Sequence, residues 1–167
     1  MNLAEAAAHA DELAENGSAQ ELAALRTEWD DELEATARSA DFRERALAFR
    51  AVGLFRWRAK EELLRRGLDD GSPAARGSAL LSLELLSRDH PGLVNGNRPL
   101  LHELANADPV NAVRRLAILC LKNGSPAQDT ITLLDHFAHE AEEADIRKAA
   151  ESVAEALRKK QREQRAR

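Results

Sequence analysis

Leucine-rich stretches and small-residue stretches alternate along the chain, and none shows the sustained two-residue alternation of a half-buried strand. Leu63-Leu64, Leu100-Leu101-Leu104 and Leu133-Leu134-Phe137 each open a segment that continues through a turn into a second apolar stretch. The pattern predicts an all-α chain with helices near 2–15, 19–38, 41–57, 59–68, 73–88, 92–106, 109–122, 127–141 and 144–164. Asn16-Gly17-Ser18 and Lys122-Asn-Gly-Ser-Pro126 are breaks between them. Asp70-Gly-Ser-Pro73 and Asp108-Pro109 combine a capping acid with a proline that a helix tolerates only in its first turn. Residues beyond about 158 are mostly charged and are expected to fray.

The helices repeat. An apolar residue followed by arginine occurs at Phe42-Arg43, Ala75-Arg76, Val113-Arg114 and Ile146-Arg147, at spacings of 33, 38 and 33 residues. Three positions after each arginine stands an alanine: Ala46, Ala79, Ala117 and Ala150. Leu47, Leu80 and Ile118 follow at the next position, where the last repeat has Glu151. An acid lies two or six positions before each arginine: Asp41, Asp70, Asp108 and Asp145. Each repeat reads as a helical hairpin with its arginine in the first turn of the second helix and a small residue where a neighbour must approach. The extra length of the longest period falls around residues 89–97.

This pattern resembles the HEAT-repeat, armadillo-like family, most closely from Leu100-Leu101 through Asp108-Pro109-Val110 to Val113-Arg114 and Ala117. The resemblance implies a right-handed α-solenoid of about four hairpins and eight or nine helices in one domain over 1–157. Its units would be about 19–57, 58–88, 91–123 and 126–157, with 1–16 a capping helix and 158–167 a basic C-terminal tail. It also implies that Asp41, Arg43, Asp70, Arg76, Asp108, Arg114, Asp145 and Arg147 form a structural ladder between successive hairpins. The first and last units lack the proline turn, as atypical terminal repeats often do.

Charge divides the chain sharply. The net charge is −9 over 1–41, +5 over 43–66, −6 over 128–155 and +5 over 158–167, within −5 for all 167 residues. Adjacent helices of opposite sign that neutralise one another explain this most simply; a basic patch facing an anionic partner is the alternative. The segment 43–58 interleaves arginines with Phe49, Phe55 and Trp57. On a helical wheel Arg43, Arg50 and Arg58 share one side and Arg45 and Arg56 the other, while Phe42, Phe49, Trp57, Leu47 and Leu54 fit a core.

Little in the sequence supports catalysis. It has no Gly-rich phosphate loop, no Gly-x-Ser-x-Gly elbow and no context that would activate Cys120, which reads as a small core residue. His102-Glu103 and His139-Glu140 are similar to the His-Glu dyads of deoxyhypusine hydroxylase, a di-iron enzyme built on such repeats. Two dyads stand where that family needs four, and they lie 12 and 8 residues before their arginines, out of register. Asp135, His136, His139 and Glu140 are ligand types within helical reach, but no third segment supplies partners, so no metal or other cofactor is expected.

The sequence therefore predicts a non-catalytic protein-binding adaptor or scaffold. Arg50, Trp57, Arg58, Arg65 and Arg66 are the expected contacts to an acidic partner segment. The alternative is a nucleic-acid-binding repeat protein that uses the same arginines plus Arg158, Lys159, Lys160, Arg162, Arg165 and Arg167. A lone cysteine, no basic leader at Met1–Glu5 and no membrane-length apolar run give the expectation of a cytoplasmic location.

Overall fold

In the computed structural model, which describes residues 1–167, every regular element is helical. The helices are α1 (Leu3–Glu15), α2 (Ala19–Ala37), α3 (Phe42–Leu54), α4 (Glu61–Leu68), α5 (Pro73–Ser87), α6 (Gly92–Asn95), α7 (Arg98–Ala107), α8 (Asn111–Leu121), α9 (Gln128–Glu140) and α10 (Ala144–Arg165). A single 3₁₀ turn, Arg58–Lys60, precedes α4. No helix is long and apolar enough to cross a membrane. The chain divides into two compact units, Met1–Leu86 and Ser87–Arg167.

In the N-terminal unit α2 packs on α1 and α3, and α3 contacts both α1 and α4. Asn2 starts α1 with a capping box: its side chain accepts from the Glu5 N–H, while the Glu5 carboxylate accepts from the Asn2 N–H, both at 2.9 Å. Gly17 ends α1 at φ +71, with the Ser18 and Gly17 N–H groups returning to the carbonyls of Leu13 and Ala14. α3 ends with the same motif, but Arg56 occupies the left-handed position at φ +50. The Trp57 and Arg56 N–H groups bond the carbonyls of Val52 and Gly53. That ends α3 at Leu54, short of the expected Trp57, and leaves Trp57 to begin the turn.

Close approach is built in at two glycines. A Cβ on Gly53 would lie 2.6 Å from Ser82 Oγ and 2.7 Å from Ser82 Cα, so α3 and α5 meet almost backbone to backbone. A Cβ on Gly67 of α4 would lie 2.8 Å from the Ala79 Cβ and 3.0 Å from the Phe49 ring. Ser82 Oγ accepts from the Gly53 N–H at 2.9 Å and donates to the Phe49 carbonyl at 2.5 Å, inserting into the α3 ladder.

In the C-terminal unit α7 packs on α8, α9 on α10, and α8 on α10. The expected helix 92–106 is two helices. Pro99 lacks an N–H and its ring would clash with a helical carbonyl four residues back, and the Asn97 side chain donates to the Leu93 carbonyl at 2.7 Å where the break falls. The helix expected over 144–164 is α10, which runs to Arg165. Arg158 pairs with Asp135 of α9, and the Lys160 ammonium donates to the carbonyls of Lys122 and Gly124, so a cation caps the C-terminus of α8.

The repeat has a structural basis, with one correction of register. Arg76 donates to the Asp70 carbonyl and Arg147 to the Ala141 carbonyl, each six residues back, fastening the second helix to the turn before it. In the first hairpin the residue that does this is Arg45, bonded to the Ser39 and Ala40 carbonyls at 3.0 and 3.1 Å. Arg43 instead stays on its own N-cap, Asp41, and is largely exposed. Shifting by two residues places Ala48 at the alanine position and Phe49 after it, both buried, whereas Ala46 and Leu47 are only half-buried. Phe42 is likewise not core, at 46% exposed, whereas Phe55 is fully buried.

Candidate functional site

The basic segment 43–66 is laced into the acidic helices before it. Arg56 donates to Asp11 at 2.7 Å and Glu15 at 2.8 Å on α1, and Lys60 to Asp30 at 2.5 Å and Glu34 at 2.7 Å on α2. The Lys60 ammonium also lies 4.9 Å from the centre of the Trp57 ring, which stands 5.7 Å from the Phe55 ring. Arg26 of α2 donates to the Phe55 and Arg56 carbonyls, both at 2.8 Å, satisfying the end of α3. Arg45 forks onto Asp70 at 2.8 and 3.0 Å, joining the first hairpin to the turn of the next. Charge alternation along the sequence is thus realised as helix-to-helix pairing.

These pairs set a pH dependence. The Asp70 carboxyl is held below its ordinary value first by the Arg45 hydrogen bonds, against desolvation, with the Ser72 N–H adding to them. Glu34 is lowered chiefly by Lys60. A carboxylate with a depressed folded pKa contributes stability that is complete above its unfolded value of about 4 and is lost as pH falls through the folded value. Asp70→Asn is therefore expected to lower the urea midpoint at pH 6, and the difference from wild type should close as the pH falls through the depressed folded value of the Asp70 carboxyl.

Of the eight expected ladder residues, Asp41, Asp70 and Asp108 lie between helices, while Arg43, Arg76, Arg114, Asp145 and Arg147 lie near the starts of α3, α5, α8 and α10. The carboxylates of Asp41, Asp70 and Asp108 each accept the N–H two residues on, from Arg43, Ser72 and Val110, all at 2.9 Å. Asp145 accepts from the Ile146 N–H and, across hairpins, from the Asn111 side chain at 3.0 and 3.1 Å. Arg114 donates to the Ala105 carbonyl at 3.0 Å and lies 3.6 Å from Glu143. The cross-hairpin partners are thus Arg45 with Asp70, Asn111 with Asp145, and Arg114 with Glu143. Sequence reasoning missed Arg45, Asn111 and Glu143 in this role.

The five expected partner contacts are spread over α3, the 3₁₀ turn with the residue before it, and α4. Arg58, Arg65 and Arg66 are exposed on the 3₁₀ turn and α4, with Arg65 against Glu61 of its own helix, and Trp57 is half-buried beside Lys60. Arg50 lies on α3, where its charged neighbours are Asp11, Arg56 and Glu84. Its Nη1 is shielded from solvent and has no hydrogen-bond partner, and desolvation pushes its pKa down. A dehydrated guanidinium donor with no acceptor is costly, and its planar fork suits a carboxylate.

The histidines have local roles. His102 Nε2 lies 2.8 Å from Thr130 Oγ1, and burial pushes the imidazole pKa down. His139 Nδ1 lies 2.8 Å from the backbone carbonyl of Asp135. No three His, Cys, Asp or Glu side chains converge as a metal site. Asp135, His139, Glu151 and Arg158 line a cavity of about 290 Å³ between α9 and α10, where Arg158 already neutralises Asp135. No protein-family model, no curated protein and no solved structure matches this chain.

Proposed function

We propose that the chain is a non-catalytic, HEAT-like adaptor whose hairpins stack as an α-solenoid and present their outward positions to an acidic segment of a partner protein. The observation that carries this reading is a fixed repeat framework with one varied, unburied position, filled by Arg50 in the first repeat. Positions 0 and +3 of the repeat carry the same residue each time, Arg45, Arg76, Arg114 and Arg147, then Ala48, Ala79, Ala117 and Ala150. Position +5 differs in every hairpin, as Arg50, Leu81, Leu119 and Ser152, and none of the four is buried. A fixed framework with a varied outer row is what a binding scaffold requires, and a preformed helical surface loses little entropy on binding.

Internal ion pairing weighs against a nucleic-acid role for segment 43–66, since Arg43, Arg45, Arg56 and Lys60 all have carboxylate partners. Leu81, 40% exposed on α5, gives the outer row an apolar contact for a peptide. With one buried thiol, Cys120, the adaptor would work in the cytoplasm.

Affinity capture from nuclease-treated lysate tests the reading, using wild type and Arg50→Glu at low and high salt. The expected result is a protein retained by wild type and lost with Arg50→Glu. Loss of all captured material on nuclease treatment, together with direct binding of labelled DNA or RNA, would replace this reading with the nucleic-acid one.

A further inference from the structure

The N-terminal unit has more carboxylates than its cations can pair. Residues 1–86 carry a net charge of −6. Glu21, Glu28 and Glu32 stand at i, i+7 and i+11 on α2, so they share one face over about 16 Å, with Asp31 at its edge. All four are exposed, and none takes part in an ion pair or a hydrogen bond. The one cation of α2, Arg26, lies about 140° around the helix from Glu21 and caps α3. Neighbouring cations are engaged elsewhere: Arg38 with Glu34, Arg43 with Asp41, Lys60 with Asp30 and Glu34, and the Met1 ammonium 4.0 Å from Glu5. Where this face meets the starts of α1 and α3 there is a cavity of about 300 Å³, open to solvent. Leu3, Ala4 and Leu47 give it an apolar wall, Glu32, Glu44 and Thr36 a polar one, and no lysine, arginine or histidine lines it. Glu44 accepts from the Ser39 hydroxyl through one carboxylate oxygen. The positive ends of α1 and α3 do not cancel these charges, because Glu5 and Asp41 already place carboxylates there.

We infer that the α2 face and its cavity form a second docking surface, for a basic polypeptide segment that lays one lysine or arginine side chain in the cavity. The aliphatic stem packs against Leu3, Ala4 and Leu47, and the charged head meets Glu32 and Glu44. A cavity of about 150 Å³ holds benzene, so this one has room for such a stem. Further cations of the segment reach Glu28, Asp31 and Glu21 along the face. A cleft lined by one sign of charge concentrates the opposite sign, which makes the occupant cationic and repels a phosphate backbone. The apolar wall sets the rest. A bare metal ion gains nothing from Leu3 and Leu47, and no three ligating side chains converge there. The inference takes from the protein-binding reading only that the partner is a polypeptide, and it does not involve Arg50.

The test measures fluorescence anisotropy of a labelled Arg/Leu/Ser peptide with the full chain, beside the same peptide carrying citrulline in place of arginine. The arginine peptide should bind, about tenfold or more tighter than the citrulline peptide, and should weaken as salt rises because exposed charges are screened. Glu21→Gln/Glu28→Gln/Glu32→Gln should weaken it about tenfold or more. Glu103→Gln/Glu151→Gln/Glu155→Gln, at three exposed acids of the C-terminal unit, removes the same net charge and should leave binding unchanged. Thr36→Lys puts an ammonium into the cavity and should also weaken binding about tenfold. Circular dichroism checks that the variants fold, and Ala4→Lys replaces Thr36→Lys if it does not. Four results would overturn the inference: no binding by wild type, equal binding of the two peptides, equal effects of the two triple substitutions, or binding unaffected by a lysine in the cavity. Displacement of the peptide by millimolar calcium would overturn it too, in favour of a metal ion. Each of these leaves the adaptor reading standing, because that reading is tested by capture with Arg50→Glu.

Discussion

Phe55→Ala is expected to lower the unfolding free energy by about 3–5 kcal/mol, the largest single loss of any substitution considered. The ring has 0% exposure and ranks among the largest fully buried side chains of the chain. It lies at the C-cap of α3, with its carbonyl held by Arg26 and its ring against Trp57. The surrounding helices are fixed at several points, by Arg26 from α2, by Lys60 to Asp30 and Glu34, and by Gly53 on Ser82. A site so constrained cannot collapse to fill the space, which places the cost toward the upper part of the range. Urea unfolding followed by circular dichroism reads it directly, as a fall in midpoint with little change in slope. A loss below about 1 kcal/mol would mean that the interior around Phe55 is loosely packed.

Gly53→Ala comes next, at about 3 kcal/mol, for the opposite reason. The added methyl meets the Ser82 Cα at 2.7 Å as well as its side chain, so rotating a side chain gives no relief and α3 and α5 must separate. Separation also strains the bond from the Gly53 N–H to Ser82 Oγ and leaves a buried hydroxyl poorly placed. Gly92→Ala is the control: nothing lies within 4 Å of its added Cβ, and Gly92 is at the first position of α6. That substitution should be neutral or stabilise by up to about 1 kcal/mol. Equal losses in the two variants would show that α3 and α5 are not in close contact.

Helix positions were legible because Asp-Pro turns, Asn-Gly-Ser breaks and leucine spacing are local signals. The all-helical class follows from them, and so do the starts of α5 at Pro73 and of α10 at Ala144. Three features depended on contacts remote in sequence. The register of the first hairpin was displaced by two residues because Phe42-Arg43 imitates the later pairs, while Arg45 identifies itself only through the Ser39 and Ala40 carbonyls and Asp70. The end of α3 at Leu54 depends on Arg26, some thirty residues earlier, accepting the role of cap for Phe55 and Arg56. The persistence of α10 to Arg165 depends on Asp135 and on the end of α8. At the candidate site, charge alternation announced the pairing of α1 and α2 with segment 43–66, but not that Arg50 Nη1 would be buried without an acceptor. Arg50 and Arg45 are both arginines of one helix, and only geometry separates their roles.

A pair of urea unfolding curves, for Arg45→Met and Arg50→Met, tests that separation most directly. Methionine keeps much of the aliphatic stem of each arginine and removes the guanidinium. Arg45→Met should lower the midpoint, because it strands the Asp70 carboxylate and the Ser39 and Ala40 carbonyls. Arg50→Met should leave the midpoint unchanged or raise it, because it removes a desolvated donor that has no acceptor within the chain. If Arg50→Met destabilises as much as Arg45→Met, then Arg50 belongs to the folded framework and the proposed partner contact at that position is contradicted.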